Sequence, residues 1–198
     1  DGDGKFDTRQ VFLEGIPFPS AIAVGFDGLW LGGPPNLLFV PDKNHDDKAD
    51  GPLEVRLTGW GIQDRHEVFN SFSWGPDGWL YGCHGVFTHS KLGKPGTPDE
   101  KRVPLNAGIW RYHPVTREFE LFAEGGGNTW GVDFNEDGEL IAGTNFGEQI
   151  GLHQVQGAYY LKGFAKHGPL HNPHSYGYFD HLPFKGFKGG HVTSGGIV

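Results

Sequence analysis

The chain has 198 residues, with 24 acidic and 16 basic side chains for a formal net charge of −8, 34 glycines, 14 prolines and 14% aromatic residues. The negative balance and the lack of any Lys/Arg run argue against a nucleic-acid partner. The aromatic content is too high for a solvated coil, and no apolar run approaches the roughly 20 residues needed for a helical membrane span. One cysteine, Cys83, excludes an internal disulfide and any CxxC or CxxCH motif in these residues, so cysteine usage does not define a redox compartment.

From the first residue the chain reads Asp1, Asp3 and Asp7 around Gly2 and Gly4, the second part of an Asp-x-Asp-x-Asp-Gly-x-x-Asp loop. Alternate carboxylates of this kind can converge on Ca2+, a hard cation that takes six to eight oxygens. A second copy runs over residues 42–50, with Asp42, Asn44, Asp46 and Asp50 at ligand spacing and Asp47 where glycine is usual. A polar Asx-turn connection without metal is the competing reading of both. In either case the role is structural.

Residues 11–13 read as the closing strand of a preceding unit. Residues 20–24, 29–31, 37–40 and 53–57 then read as four successive strands, the last alternating apolar and charged residues like a half-exposed edge. Residues 60–67 form a loop whose last four, Asp64, Arg65, His66 and Glu67, are all ionisable. A solvated turn with internal ion pairs and a functional cluster fit this composition equally. Residues 70–85 follow, two apolar runs hinged on Asp77-Gly78, which predicts a hairpin on a tight primed turn. Residues 86–104 are a Pro/Gly/Lys-rich insertion, residues 108–112 and 118–122 a second hairpin, and residues 129–143 a third, turning at Asp137-Gly138. From 146 to 190 periodicity fades among histidines, glycines and prolines. His171 and His174 enclose Pro173, so they do not form a helical metal-ligand pair.

The hairpin units around Asp27, Asp77 and Asp137 recur at intervals of 50 to 60 residues. One such signal per repeat predicts an all-β fold, a β-propeller fragment with blades near 16–58, 66–123 and 126–185 and a further blade starting at His191. That is about three and a half to four blades of a larger ring, expected to be six-bladed. An irregular β-sandwich is the alternative. The lack of methionine and the acidic motif at residue 1 add the expectation of a piece of a longer protein.

The strings HEVFNSFSWGPDGWLYGCHGVF at 66–87, NAGIWRYHP at 106–114, NTWGVDF at 128–134 and GHVTSGGIV at 190–198 resemble the propeller of proteins named membrane-bound dehydrogenases in Planctomycetes and Verrucomicrobia. The resemblance spans nearly the whole chain. It implies an exported, periplasmic or cell-surface protein whose propeller is followed by helical repeats and a c-type haem domain. More remotely the chain is similar to the six-bladed soluble quinoprotein glucose and sorbosone dehydrogenases, which hold pyrroloquinoline quinone over the channel mouth and use a histidine as base. By that likeness the expected activity is oxidation of a sugar or alcohol through the quinone, with calcium as structural ion. The rival is a non-catalytic, calcium-stabilised propeller that binds carbohydrate or a partner protein.

The histidine in question opens a motif ending in Gly-Pro-Asp-Gly. Here His66 stands one residue further from the turn than the pattern has it, and Glu67 takes the matching place. His66, held by Asp64 or Glu67, is the expected base, since such a group must titrate near neutral pH. Arg65 would pair a quinone carboxylate through its fork of donors. Asn70, Asn128 and His191, near the starts of successive inner strands, would converge on one ligand, and Trp130 would stack on a planar one. Channel-lining polarity bridged by water is the alternative for each. Cys83 reads as a buried strand end rather than a redox thiol.

Overall fold

In the computed structural model, residues 3–65, 67–143, 151–162, 172, 174–175 and 177–179 are described. Among them there is no α-helix, and the chain is all-β. Sheet I is an antiparallel meander of β1 (Ala21–Val24), β2 (Gly28–Gly33), β3 (Asn36–Pro41) and β4 (Glu54–Thr58). Sheet II begins with β5 (Asn70–Trp74) and β6 (Leu80–His84). A small separate hairpin of β7 (Ser90–Leu92) and β8 (Val103–Leu105) follows, and sheet II resumes with β9 (Gly108–Tyr112) and β10 (Phe119–Gly126). Sheet III holds β11 (Trp130–Phe134), β12 (Leu140–Gly143) and β13 (Gly151–Gln154).

The first strands of the three sheets, β1, β5 and β11, lie side by side, with β5 packed on both of the others. Sheets fanned from neighbouring inner strands make an arc of a β-propeller, and no sheet closes on itself.

Two-residue alternation along the strands of sheet II sends successive side chains to opposite faces, and both faces are covered. Leu80, Trp110, Tyr112 and Leu121 join Trp30, Leu37, Phe39 and Leu57 of sheet I in one buried cluster. Tyr81, Cys83, Ile109 and Phe122 join Val132, Leu140 and Ala142 of sheet III in another. Trp74, at the end of β5, reaches back to sheet I: its indole N–H donates to the Val24 carbonyl (2.8 Å), and its ring lies 4.7 Å from Phe26. Phe134, at the end of β11, stands in the same relation to Tyr81 of sheet II, centroid to centroid 5.0 Å.

The repeated turns are of two kinds. Between β5 and β6, and between β11 and β12, the aspartate is followed by a glycine at φ +79° (Gly78, Gly138), and the turn closes from the glycine N–H to the carbonyl three residues back (Gly75, Asn135). The glycine is needed there because an L side chain is strained at that φ. Between β1 and β2 the positive φ values fall instead on Phe26 (51°) and Asp27 (58°), so Phe26-Asp27 forms the primed two-residue turn and Gly28 is the first residue of β2. The expected primed turn centred on Asp-Gly is thus found in none of the three units: the first is primed but centred one residue earlier, and the Asp77 and Asp137 turns are of the other kind.

Asp77 also anchors its turn. It accepts from the Tyr81 hydroxyl (2.8 Å) and from Arg111 Nη1 (3.2 Å), while Arg111 Nη2 reaches Glu120 (2.6 Å) and the guanidinium lies over Trp79 (4.4 Å). Burial pushes the Tyr81 phenol up to about 12.

Two further expectations change, and composition left the insertion 86–104 open. Residues 11–13 form no strand. The insertion 86–104 is ordered: Leu92 and Leu105 are buried in the core between sheets I and II, and the hairpin spans to sheet I by bonds between Thr58 and Gly93 (2.9 and 3.1 Å) and from the Lys91 N–H to the Gly59 carbonyl (3.0 Å). Arg102 pins it, donating to the carbonyls of Thr97 (3.0 Å), Thr58 (3.0 Å) and Lys91 (3.3 Å). Finally, β14 (Ala158–Lys162) and β15 (Gly177–Phe179), which the repeat spacing assigns to the third unit, pair in parallel onto β10 and extend sheet II to six strands.

Candidate functional site

The segments entering β1, β5 and β11 lie at one end of the arc, together with the turn leaving β6. The loop 61–67 is fastened along its length to residues 85–90. The Gly61 N–H donates to Ser90 Oγ (2.8 Å), and Gln63 Oε1 accepts from the His89 N–H (3.3 Å). Thr88 Oγ1 accepts from the Asp64 N–H (3.3 Å) and donates to the Asp64 carbonyl (3.2 Å). Glu67 Oε2 accepts from the Phe87 N–H (3.2 Å), and the Glu67 carbonyl accepts from the Gly85 N–H (3.3 Å). Gly85 has to lack a side chain, because a Cβ there would stand 2.6 Å from Glu67 Oε2.

Behind this seam His84 is fully buried. His84 Nε2 is hydrogen-bonded to the Ser90 hydroxyl (2.8 Å), which also accepts from Gly61, and Nδ1–H donates to the Gly85 carbonyl (2.9 Å). Asn106, also fully buried, donates to the carbonyls of Val86 (2.7 Å) and Thr88 (2.9 Å). Residues 61, 63, 64 and 67 are thus each tied to the 85–90 turn.

Of the residues expected at this mouth, Asp64 is half-buried, Arg65 is exposed, and Glu67 is only 2% exposed. His66 and His191 lie outside the described residues, as does Asp1. Asn70 is fully buried and does meet the entrance to sheet III: Nδ2 donates to the carbonyls of Val68 (3.0 Å) and Thr129 (3.4 Å), and Oδ1 accepts from the Ser71 hydroxyl (2.6 Å). Ser71 Oγ in turn accepts from the Gly131 N–H (2.8 Å). Asn70 is thus a latch between sheets II and III. Asn128 and Trp130 are half-buried beside it.

Two buried groups escaped the sequence reading. Thr129, 1% exposed, has a hydroxyl with no hydrogen-bond partner among the described residues. Glu124, fully buried, accepts from the Asn172 N–H (2.6 Å). A signal existed for the second: Glu124 precedes Asn128 by four residues as Glu67 precedes Asn70 by three. Cys83 is buried as expected, and burial pushes its thiol well above the usual range.

In the acidic loop 42–50, Asp50 Oδ2 accepts from the N–H groups of Lys43 (2.6 Å) and Asn44 (3.3 Å). Asp42 Oδ1 and Asn44 Oδ1 both accept from the Asp46 N–H (3.2 Å each), and Asp46 Oδ1 accepts from the Lys48 N–H (3.1 Å). Among the described residues no group of three His, Cys, Asp or Glu side chains stands ready to hold a metal. Near the start of the chain Asp3 accepts from the Lys5 N–H (2.9 Å), and Asp7 is exposed.

A comparison with curated proteins gives no match. A family model does match, over residues 1–177, and the chain accordingly belongs to the family described as Domain of unknown function (DUF7133).

Proposed function

We propose that this propeller is the substrate-binding part of a quinoprotein-type dehydrogenase that oxidises a sugar or other alcohol. The observation that supports this reading is the buried carboxylate of Glu67, three residues after Asp64, fixed to the Phe87 N–H. A carboxylate so placed can hold a neighbouring base in orientation or take a hydroxyl proton itself. Pyrroloquinoline quinone, when bound, supplies the hydride acceptor. The residues fit such a group in kind: exposed Arg65 offers a two-pronged donor for a carboxylate, and Asp64 and Asn128 are polar groups of the kind that bind hydroxyls. Electrons leave through a c-type haem domain elsewhere in an exported polypeptide.

Complete protein incubated with the quinone and Ca2+ is expected to reduce an artificial electron dye when given sugars. His66→Ala and Glu67→Gln should each abolish that activity, while Arg65→Ala should weaken quinone uptake. Failure to take up quinone at all refutes the reading.

The second reading is a non-catalytic propeller, calcium-stapled, that binds carbohydrate or a protein at the same mouth. It is favoured by Asn70, whose hydrogen bonds are spent within the fold. Asp42, Asn44, Asp46 and Asp50 would hold the calcium, hard oxygens in the order such a loop requires, once they exchange their backbone amides for the ion. A Ca2+-dependent rise in melting temperature that is lost in Asp46→Ala tests that part on its own.

A further inference from the structure

At the end of sheet I opposite the mouth, the β1–β2 turn, the acidic loop 42–50 and the segment preceding β1 enclose a cleft of about 420 Å3. The three segments are tied to one another. The Asp42 N–H donates to the Asp27 carbonyl (2.8 Å), joining loop to turn, and Gln10 Nε2 donates to the Asp47 carbonyl (2.8 Å), joining loop to leading segment. The turn itself is held from beneath by two indoles, Trp74 Nε1–H on the Val24 carbonyl (2.8 Å) and Trp30 Nε1–H on the Gly25 carbonyl (3.0 Å). A space of this volume falls within the range of small-ligand sites, roughly 300–1,000 Å3.

Its two walls differ in chemistry. One is apolar: Ile22, Val24 and Leu29 share a face of β1 and β2, Phe12 joins them, and Ile22 and Val24 are 62% and 75% exposed. The other carries Asp27, Asp42 and Asp47, and no Lys or Arg among the described residues lines the cleft. His45 is the sole basic group there, its Nε2 3.4 Å from Asp27. Asp42 is 9% exposed, yet its carboxylate receives one bond, from the Asp46 N–H (3.2 Å), and the Asp47 carboxylate has no partner among the described residues. The calcium reading of loop 42–50 uses Asp42 and leaves Asp27 and Asp47 without a role.

The lip is built at a conformational cost. Gly28 stands beside the turn and would take a positive φ without strain, but the left-handed positions fall on Phe26 and Asp27, where the other two units use Gly78 and Gly138. Across the cleft His45 (56°) and Asp47 (61°) are left-handed as well. The shifted turn sets a phenyl ring and a carboxylate side by side at the opening, and the ring face can receive a cation.

The structure assigns this cleft to a small amphiphilic cation, a primary ammonium group on a short aliphatic tail. The tail lies on Ile22, Val24 and Leu29, and the ammonium stands among Asp27, Asp42 and Asp47, giving its three N–H donors to their oxygens. This goes beyond the quinone reading and does not depend on it, since the mouth lies at the other end of the sheet.

Hexylammonium chloride titrated calorimetrically into the 198-residue chain, at low ionic strength and with EDTA to exclude calcium, is expected to bind at least about tenfold more tightly than hexan-1-ol or hexanoate. Affinity should rise by up to about fourfold per methylene from butyl- to hexylammonium. Asp27→Asn combined with Asp47→Asn should weaken binding at least about fivefold at an unchanged melting temperature, because asparagine tolerates the left-handed backbone. Val24→Thr, at an exposed position, should weaken it by up to about fourfold. Equal affinity for hexan-1-ol, or full affinity in the double asparagine variant, overturns the proposal. Ammonium chloride binding as tightly as hexylammonium also overturns it, and reduces the cleft to a site for a bare cation.

Discussion

Replacing Asn70 tests whether this residue belongs to the fold or to a ligand. Asn70→Ala removes two bonds donated to carbonyls and one accepted from Ser71, all at a fully buried position. At about 1 kcal/mol for each net hydrogen bond the cost is about 3 kcal/mol. For a domain of this size that lowers the melting temperature by roughly 6–12 °C. Asn70→Asp separates geometry from donors. It keeps an acceptor for Ser71 but turns a carboxylate toward the Val68 and Thr129 carbonyls, where burial and the carbonyl dipoles raise its pKa above that of the unfolded chain. A raised carboxyl pKa means that the unfolded state ionises first as pH rises, so this variant is least unstable in acid and loses further stability as pH climbs through the ordinary carboxylate range. Urea unfolding followed by tryptophan fluorescence at pH 4.5 and pH 7.5 measures both. An alanine variant within about 0.5 kcal/mol of the wild type, or an aspartate variant whose deficit is independent of pH, would refute the latch and return Asn70 to the ligand.

Arg102→Ala should unfasten the hairpin of β7 and β8 from sheet I, costing about 1–3 kcal/mol and exposing Lys94 and Lys101 to trypsin well before the rest of the chain is cut. Unchanged cleavage kinetics would show that Leu92 and Leu105 hold the hairpin unaided. For Tyr81, absorbance at 295 nm should show a phenol ionising near pH 12 rather than 10. Because the folded value is the higher one, the stability it contributes is complete below pH 10 and disappears as pH rises toward 12. Arg111→Leu, which removes a donor to the phenol oxygen, should raise that pKa further, and a Tyr81 titrating near 10 would contradict its burial.

The hairpins were legible in the sequence because their determinants are local: an aspartate-glycine pair and a few alternating apolar residues on either side. Neither the placement of β14 nor that of β15 was legible, since a parallel pairing of Glu124 with Tyr159 leaves no mark on either segment by itself. The insertion 86–104 reads as structureless by composition; Leu92, Val103 and the adjoining Leu105 pack it on the core, and Arg102 ties it to Thr58, contacts that depend on residues far apart in the chain. At the mouth, four ionisable residues in a row advertised Asp64, Arg65, His66 and Glu67. The burial of Glu67 was hidden because it depends on a second loop, 85–90, crossing the first. Asn70 was noticed for its position, and the same position explains its other use: the first residue of an inner strand touches the neighbouring sheet as readily as it touches a ligand.

The two added strands of sheet II change what the rim of the arc presents. Without them the outermost strand would be β10, eight residues long and largely buried in the present structure, an open row of amide and carbonyl groups inviting intermolecular pairing. With them the terminal strand among the described residues has three residues, and the sheet projects about 10 Å further outward than sheet I, two strand spacings. A long adhesive margin is thereby exchanged for a short blunt one, which guards this sector of the rim against fibre-like stacking of one molecule on the next.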